Sequence, residues 1–446
     1  MTLKEHFKTN IKLAYPVMLS QMGHILVAVA DSMMVGRLGT VPLASVSLAN
    51  SVFSIIMLFG IGVSYGMTPL VAAADGANDK RMGAKFFKHG VYLNSLLGLV
   101  LLLAGLGIGK SMFLLDQEPE VLAGALPYFY TLVFSIFPLM IFQGFRQFAE
   151  GLSMTRQAMF ISVSGNLLNV LFNYGLIYGK LGMPELGMVG AGWASLISRV
   201  LMAIAMIVFV LSYKKLKRYV ALWPKIKLRS YVMRRILNIG IPSGLQYIFE
   251  IGAFSMAAVM VGWLGAEALA AHQIALNLSA ITYMTATGIS AAGAIRTGNQ
   301  LGRKDYPTLR MAGMTCFAMA AVMMTCFGIG FIFGNTYLPT WYINEPDVIE
   351  LAGSLLIIAA FFQISDGVQA VGLGVLRGIA DVKVPTFVTL FAYWFMAIPL
   401  GYIFGINLNW GARGIWIALL VGLTVAAILH LVRFHILSKR YIIKSR

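Results

Sequence analysis

The sequence predicts an all-α polytopic membrane protein, twelve transmembrane helices arranged as two six-helix lobes. Composition is the first observation behind this: of 446 residues, 59% are hydrophobic and only 11% charged, and the mean hydropathy of +0.80 lies outside what soluble globular chains show. A series of apolar runs, each long enough to cross a bilayer in roughly 20 residues, is the second. An internal repeat is the third.

The runs fall at 13–36, 43–74, 89–113, 122–145, 157–179, 188–212, 238–262, 270–295, 311–335, 349–376, 384–406 and 411–432. The first follows Lys4, Lys8 and Lys12 and ends in Ala28-Val29-Ala30, so on its own it resembles a cleavable secretory leader. The repeat argues against cleavage, because it includes this segment as structure. The second run exceeds one straight crossing and implies tilt, a kink at Pro69, or an extension beyond the membrane. Cys316 and Cys326 share the ninth run, ten residues apart, or roughly 15 Å along a helix, too far to bridge. The 26 methionines suit a surface that accepts varied ligands and equally suit apolar filling.

Sliding the chain by 226 residues aligns Pro16 with Pro242, Met34-Val35-Gly36 with Met260-Val261-Gly262, and Leu38-Gly39 with Leu264-Gly265. The same shift aligns Gly62 with Gly288, Ser64 with Ser290, Gly76 with Gly302 and Asp79 with Asp305. Six helices return the chain to its starting side, so the halves are parallel repeats related by a pseudo-two-fold axis along the membrane normal. Facing bundles leave a cavity between them. The expected division is a lobe over 1–212, a basic cytoplasmic linker over 213–235 and a second lobe over 236–446.

The net charge of +17 would suggest nucleic acid in a soluble protein, but its placement points to a positive-inside membrane protein instead. With both termini inside, 29 of the 34 Lys and Arg residues fall on the inner side, in segments that include 146–156, 213–235, 296–310 and 377–383. Asp116, Glu118, Glu120, Glu185, Glu267, Glu345, Asp347 and Glu350 fall outside. The nine basic residues of 213–235, with no acid among them, read as a stop signal resting on anionic lipid rather than a nucleic-acid patch.

Three carboxylates lie inside the apolar runs: Asp31, Glu250 and Asp366. An ionised group at that depth costs several kcal/mol unless water, a cation or a partner meets it, and it marks an ion or substrate path. Asp31 shares a helical stripe with Ser20 and His24, and the fifth run presents Ser162, Asn166, Asn169 and Asn173 at helical spacing. Amide oxygens with one carboxylate form a hard-oxygen set suited to a small cation such as Na+, although asparagines also serve as hydrogen-bonding glue between helices. In the second half Gln246 and Glu250 lie one turn apart, as do Tyr283 and Thr287, and Gln363, Asp366 and Gln369 follow at intervals of three. Two acids there could share a proton, take a metal ion or attract a cationic substrate. Arg199 is the single intramembrane base and either pairs with a first-lobe acid or snorkels.

Gly62-Val63-Ser64-Tyr65-Gly66 matches a hydrolase nucleophile motif, which requires a strand-turn-helix context. Within an apolar helix the small residues read instead as close helix packing. Neither a Walker A loop nor a zinc-hydrolase signature occurs, so the chain is expected not to be an enzyme and not to use ATP or a bound cofactor.

Taken together, these residues resemble the multidrug and toxic compound extrusion (MATE) transporters over essentially the whole chain. The resemblance is carried by Pro16, Ala30-Asp31-Ser32-Met33-Met34-Val35-Gly36-Arg37-Leu38-Gly39, Gly151, Asn169 and Asn173 with Gly190-Ala191-Gly192, Pro242 and Glu250. Val261-Gly262-Trp263-Leu264-Gly265, Ala270-Ala271-His272-Gln273 and Leu376-Arg377-Gly378 ahead of Asp381 and Pro385 complete it. The pair Glu250 and Asp366 is similar to the membrane acids of the NorM branch. The resemblance implies a multi-pass bacterial inner-membrane antiporter, with both termini cytoplasmic, that acts as a monomer. It implies export of cationic or amphipathic small molecules in exchange for inward Na+ or H+. It further implies a first-lobe cation site at Asp31, Asn169, Asn173 and a sixth-helix hydroxyl, for which Ser195 is the candidate, and a second at Glu250, Tyr283 and Asp366. A lipid-linked precursor flippase of related architecture calls for an interior rich in Lys and Arg, and a membrane-embedded enzyme for a motif such as G-x-G-D, which is absent.

Overall fold

The computed structural model describes residues 2–115 and 118–444. Asp116 and the extreme ends of the expected lobes lie outside the described residues. Twelve helical segments are long and apolar enough to cross a membrane, in agreement with the count of apolar runs. The described residues form fifteen α-helices, all but α8 belonging to the crossings: α1 (Leu3–Gly36), α2 (Thr40–Ser64), α3 (Thr68–Gly76), α4 (Lys80–Ser111), α5 (Pro119–Gly151), α6 (Thr155–Tyr178), α7 (Gly187–Ser212), α8 (Lys214–Val220), α9 (Ser230–Gly262), α10 (Ala266–Arg303), α11 (Tyr306–Gly334), α12 (Pro346–Gly378), α13 (Lys383–Leu390), α14 (Ile398–Tyr402) and α15 (Gly411–Lys444). π-helical turns at Phe391–Ala397 and Ile403–Asn407 interrupt the eleventh crossing.

The repeat extends from residue identity to backbone conformation. Gly39 and Gly265 precede α2 and α10 with φ of 131° and 119°, values that a side chain resists. Asp79 and Asp305 cap α4 and α11, accepting from the backbone N–H of Met82 at 2.8 Å and of Thr308 at 3.1 Å.

The halves diverge at the long second run. The first half breaks at Tyr65–Met67 and restarts as α3 with Pro69 in its opening turn, whereas α10 continues unbroken. Proline lacks an N–H and its ring clashes with the carbonyl four residues earlier, so it belongs in a first turn. The equivalent position in α10 is Ile295, and the helix passes through. The interruption therefore lies just before Pro69, not at it. At that break Gly66 meets α9 so closely that a Cβ would sit 2.5 Å from the Ile236 carbonyl oxygen and 2.7 Å from the Gly240 nitrogen.

Two compact units result, Leu19–Gly244 and Met1–Met18 with Leu245–Arg446. The borders fall inside α1 and α9, where the sequence reading places them at 212 and 236. In the first unit α5 is central, packed by α2, α4 and α7, with α6 on α7. Its partner in the repeat, α12, is central to the second unit, packed by α10, α11 and α15. The initial residues are pinned within that unit: Asn10 donates to Thr315 Oγ1 at 2.9 Å, and Arg296 donates to Asn10 Oδ1 at 2.8 Å.

The 213–235 segment folds as part of the first unit. Lys88 Nζ donates to the carbonyls of Trp223 and Ile226 at 2.9 and 2.8 Å, and Arg229 N–H donates to His89 Nε2 at 2.8 Å. Its nine basic side chains are exposed. Three basic residues expected between crossings, Arg146, Arg296 and Arg377, are instead buried within α5, α10 and α12, because those helices run past their apolar stretches. Both cysteines are free.

Candidate functional site

In the first unit, α1, α6 and α7 converge on Asp31. Gly23 allows the approach of α1 and α6, since a Cβ there would lie 2.7 Å from Asn166 Nδ2. Tyr178 of α6 donates to the Met34 carbonyl at 2.7 Å and secures the far end of the pair. Asn173 Nδ2 donates to Asp31 Oδ1 and, at 3.0 Å, to Asn169 Oδ1. Asn169 in turn bonds the Ser195 hydroxyl at 3.3 Å. With the Asn169 amide turned over, its nitrogen faces Asp31 at 3.2 Å and its oxygen accepts from the Ser195 backbone N–H and hydroxyl at 3.3 Å. Either way, a carboxylate, two amides and a hydroxyl form one buried cluster. The chain thus brings Asp31, Asn169, Asn173 and Ser195 together.

Other members of the proposed stripes stand apart. Ser20 Oγ, Ser162 Oγ and Asn166 Nδ2 are buried and make no hydrogen bond among the described residues. Arg199 lies within electrostatic reach of Asp31, while its guanidinium donates to Ser135 Oγ at 2.5 Å and lies over the Phe53 ring, 5.1 Å from the centroid. Arg199 and Asp31 form no direct salt bridge among the described residues. Tyr128 of α5 lies within electrostatic reach of Asp31 and bonds Asn50 at 3.4 Å. Sequence reasoning missed it, because a single tyrosine in an apolar run carries no signal of its own.

In the second unit, Glu250 of α9 and Asp366 of α12 are both buried, 7% and 4% exposed, and within electrostatic reach of each other. Tyr283 of α10 lies within interaction reach of Glu250 and Asp366, so the chain gathers these three groups as well. Thr287, by contrast, turns back onto the Met284 carbonyl at 2.8 Å. Gln246 Nε2 donates to Thr386 Oγ1 at 2.9 Å, tying α9 to α13. Around the acids, Asp366 Oδ1, the Gln246 oxygen and both amide atoms of Gln363 and Gln369 lack partners among the described residues. A buried polar atom left unmatched costs about 1–3 kcal/mol, and a pocket with several such oxygens has chemistry suited to a cation. Like charges on the two carboxylates repel, so a proton or cation relieves the pair.

No Lys or Arg is ion-paired with Asp31, Glu250 or Asp366 among the described residues. The Glu250 and Asp366 carboxylates thus have no direct basic partner, and Asp31 has only Arg199 within electrostatic reach. Neither cluster gathers three His, Cys, Asp or Glu side chains among the described residues, and oxygen donors of this kind suit hard cations.

Comparison with known proteins adds an independent line. A family model described as MatE matches residues 16–175 and again 242–403, each match opening on one of the two prolines that the internal repeat pairs. The chain is 33% identical to "Probable multidrug resistance protein NorM" of Idiomarina loihiensis, covering 98% of this chain and 96% of that protein. It is 32% identical to "Multidrug resistance protein MdtK" of Yersinia pseudotuberculosis, covering 97% and 96%. A MATE protein crystallised in complex with MaD3S shares the fold, with a TM-score of 0.90, 22% identity, and coverage of 98% of this chain and 97% of that one. Repeat, helix order and full-length matches lead to one conclusion: the chain belongs to the MatE family.

Proposed function

We propose that this protein is a secondary multidrug efflux antiporter, exporting organic cations and other amphipathic toxic compounds in exchange for inward Na+ or H+ by alternating access. The observation that carries the reading is the pair of buried acidic clusters, one in each unit, whose carboxylates form no salt bridge among the described residues. The curated relatives named as multidrug resistance proteins, matched over nearly their full length, support the same substrate class. The distribution of Lys and Arg supports an inner-membrane placement with both termini cytoplasmic.

In the first unit, Asp31, Asn169, Asn173 and Ser195 offer a carboxylate and neutral oxygens, a donor set that favours Na+ over a bare proton. In the second, Glu250, Asp366 and Tyr283 suit a proton, Na+ or the positive charge of the substrate. Loading the inward ion neutralises the acids and removes the charge that holds a cationic substrate, so ion and drug occupy the chain in turn. A tenfold ion gradient supplies about 1.4 kcal/mol. Exchange of two ions for one monovalent drug adds about 2.3 kcal/mol per 100 mV of membrane potential.

The test is substitution at the acids. Asp31→Asn, Glu250→Gln and Asp366→Asn are each expected to abolish or greatly reduce efflux of a cationic dye from everted vesicles, at unchanged membrane expression. Normal efflux by all three variants would contradict the reading.

A further inference from the structure

The eleventh crossing departs from α-helical geometry where it passes the acids of the second unit. A π turn admits one residue more than an α turn, and such turns concentrate at functional sites. Within the turn at Phe391–Ala397, two consecutive aromatics face different partners. Trp394 Nε1 donates to the Phe249 carbonyl at 3.0 Å, next to Glu250, and Gly252 makes room for its indole, since a Cβ there would lie 2.9 Å from Cζ2. Tyr393 is fully buried, at 0% exposure, with its ring 6.0 Å from that of Phe254, one turn beyond Glu250. Its hydroxyl has no hydrogen-bond partner among the described residues.

An unpartnered phenol in an apolar interior is a cost the fold avoids unless another state uses it. The charged groups within electrostatic reach of this phenol are Glu250 from α9 and Asp366 from α12, with Tyr283 of α10 also in reach. α15 also packs on the π segment and contributes no charged group to it. The first unit offers a parallel: its fifth crossing, α6, supplies Asn169 and Asn173 to the acid of α1. Tyr393 occupies the corresponding crossing of the second unit, packs on Phe254 of α9 and lies within electrostatic reach of that helix's acid.

We propose that Tyr393 is a further binding residue of the second unit's cation site, its phenol oxygen serving as an acceptor that holds the loaded state. Toward Na+ the oxygen is a direct ligand; toward a protonated Glu250 or Asp366 it accepts the carboxyl O–H. The π turn is the device that brings this oxygen to the acids while Trp394 fixes the segment to α9. The inference rests on the coupling role of Glu250 and Asp366 proposed above.

Tyr393→Phe removes one oxygen at nearly constant shape. In proteoliposomes, dye efflux is measured against external Na+ at fixed pH and, separately, against external pH without Na+, with Glu250→Gln as control. For the ion that drives transport, the half-saturating concentration is expected to rise about tenfold, the loss of one hydrogen bond to a charged partner, with maximal rate within about twofold. A merely structural role would lower the maximal rate or the yield and leave half-saturation unmoved, and that result overturns the proposal. Binding of radioactive Na+ to the purified protein, weaker in the variant, supplies a readout independent of turnover when Na+ is the driver. If Glu250→Gln keeps full efflux, the coupling reading and this inference fail together. If it abolishes efflux while Tyr393→Phe leaves half-saturation unchanged, only the inference fails.

Discussion

Arg146 and Glu150 lie one turn apart near the end of α5, 2.6 Å from nitrogen to oxygen, with side chains 5% and 4% exposed. Arg433 and Asp381 form a second pair, 2.5 Å apart but 32% and 20% exposed. Burial decides how much each matters. Removing one partner from a buried pair strands the other charge and costs about 3–5 kcal/mol, whereas a pair open to water is worth about 1 kcal/mol or less. Glu150→Gln is therefore expected to lower the thermal unfolding temperature in detergent by a clear margin and Asp381→Asn only slightly, and equal shifts would contradict this. At this scale the sequence was legible for the acids, since charge inside an apolar run announces itself. The Arg146–Glu150 pair was not, because its helix outlasts its apolar stretch and the residues read as lying between crossings. Tyr128 and Tyr393 were equally silent: a tyrosine is ordinary in such runs, and only burial beside a carboxylate singles it out.

Among the elements, the duplicated helices set each other's interpretation. Pro69 against Ile295 explains why one half breaks its second crossing and the other does not. That break brings Gly66 onto the backbone of α9, where a side chain has nowhere to go. Gly66→Val is expected to reduce the yield of folded protein and destabilise it by about 1–3 kcal/mol or more, since backbone atoms cannot move aside as a side chain would. Gly107, with nothing within 4 Å of a Cβ, serves as the control: Gly107→Ala is expected to leave thermal stability and monodispersity unchanged. Comparable losses at both positions would show that the close approach is not what Gly66 protects. The π turns of the eleventh crossing had no counterpart in the sequence reading, because apolar periodicity does not register one inserted residue.

For the whole molecule, duplication and hydropathy together foretold twelve helices, whereas the acids follow no repeat: at the same 226-residue shift Asp31 aligns with Ala257, Glu250 with His24 and Asp366 with Met140. The borders between units were less legible. They fall inside α1 and α9, where the chain is continuously helical and carries no linker-like composition, while the basic segment that looked like a linker is folded onto α4. On the antiport mechanism proposed above, the work of export comes from an ion moving inward through the acids and needs no nucleotide. Purified protein in liposomes, loaded to export a fluorescent cationic dye, tests this with inward Na+ and proton gradients imposed one at a time. The account predicts dye movement with at least one gradient, abolished when that gradient is collapsed by an ionophore and in the Asp366→Asn protein. Dye movement at the same rate with neither gradient present would contradict it.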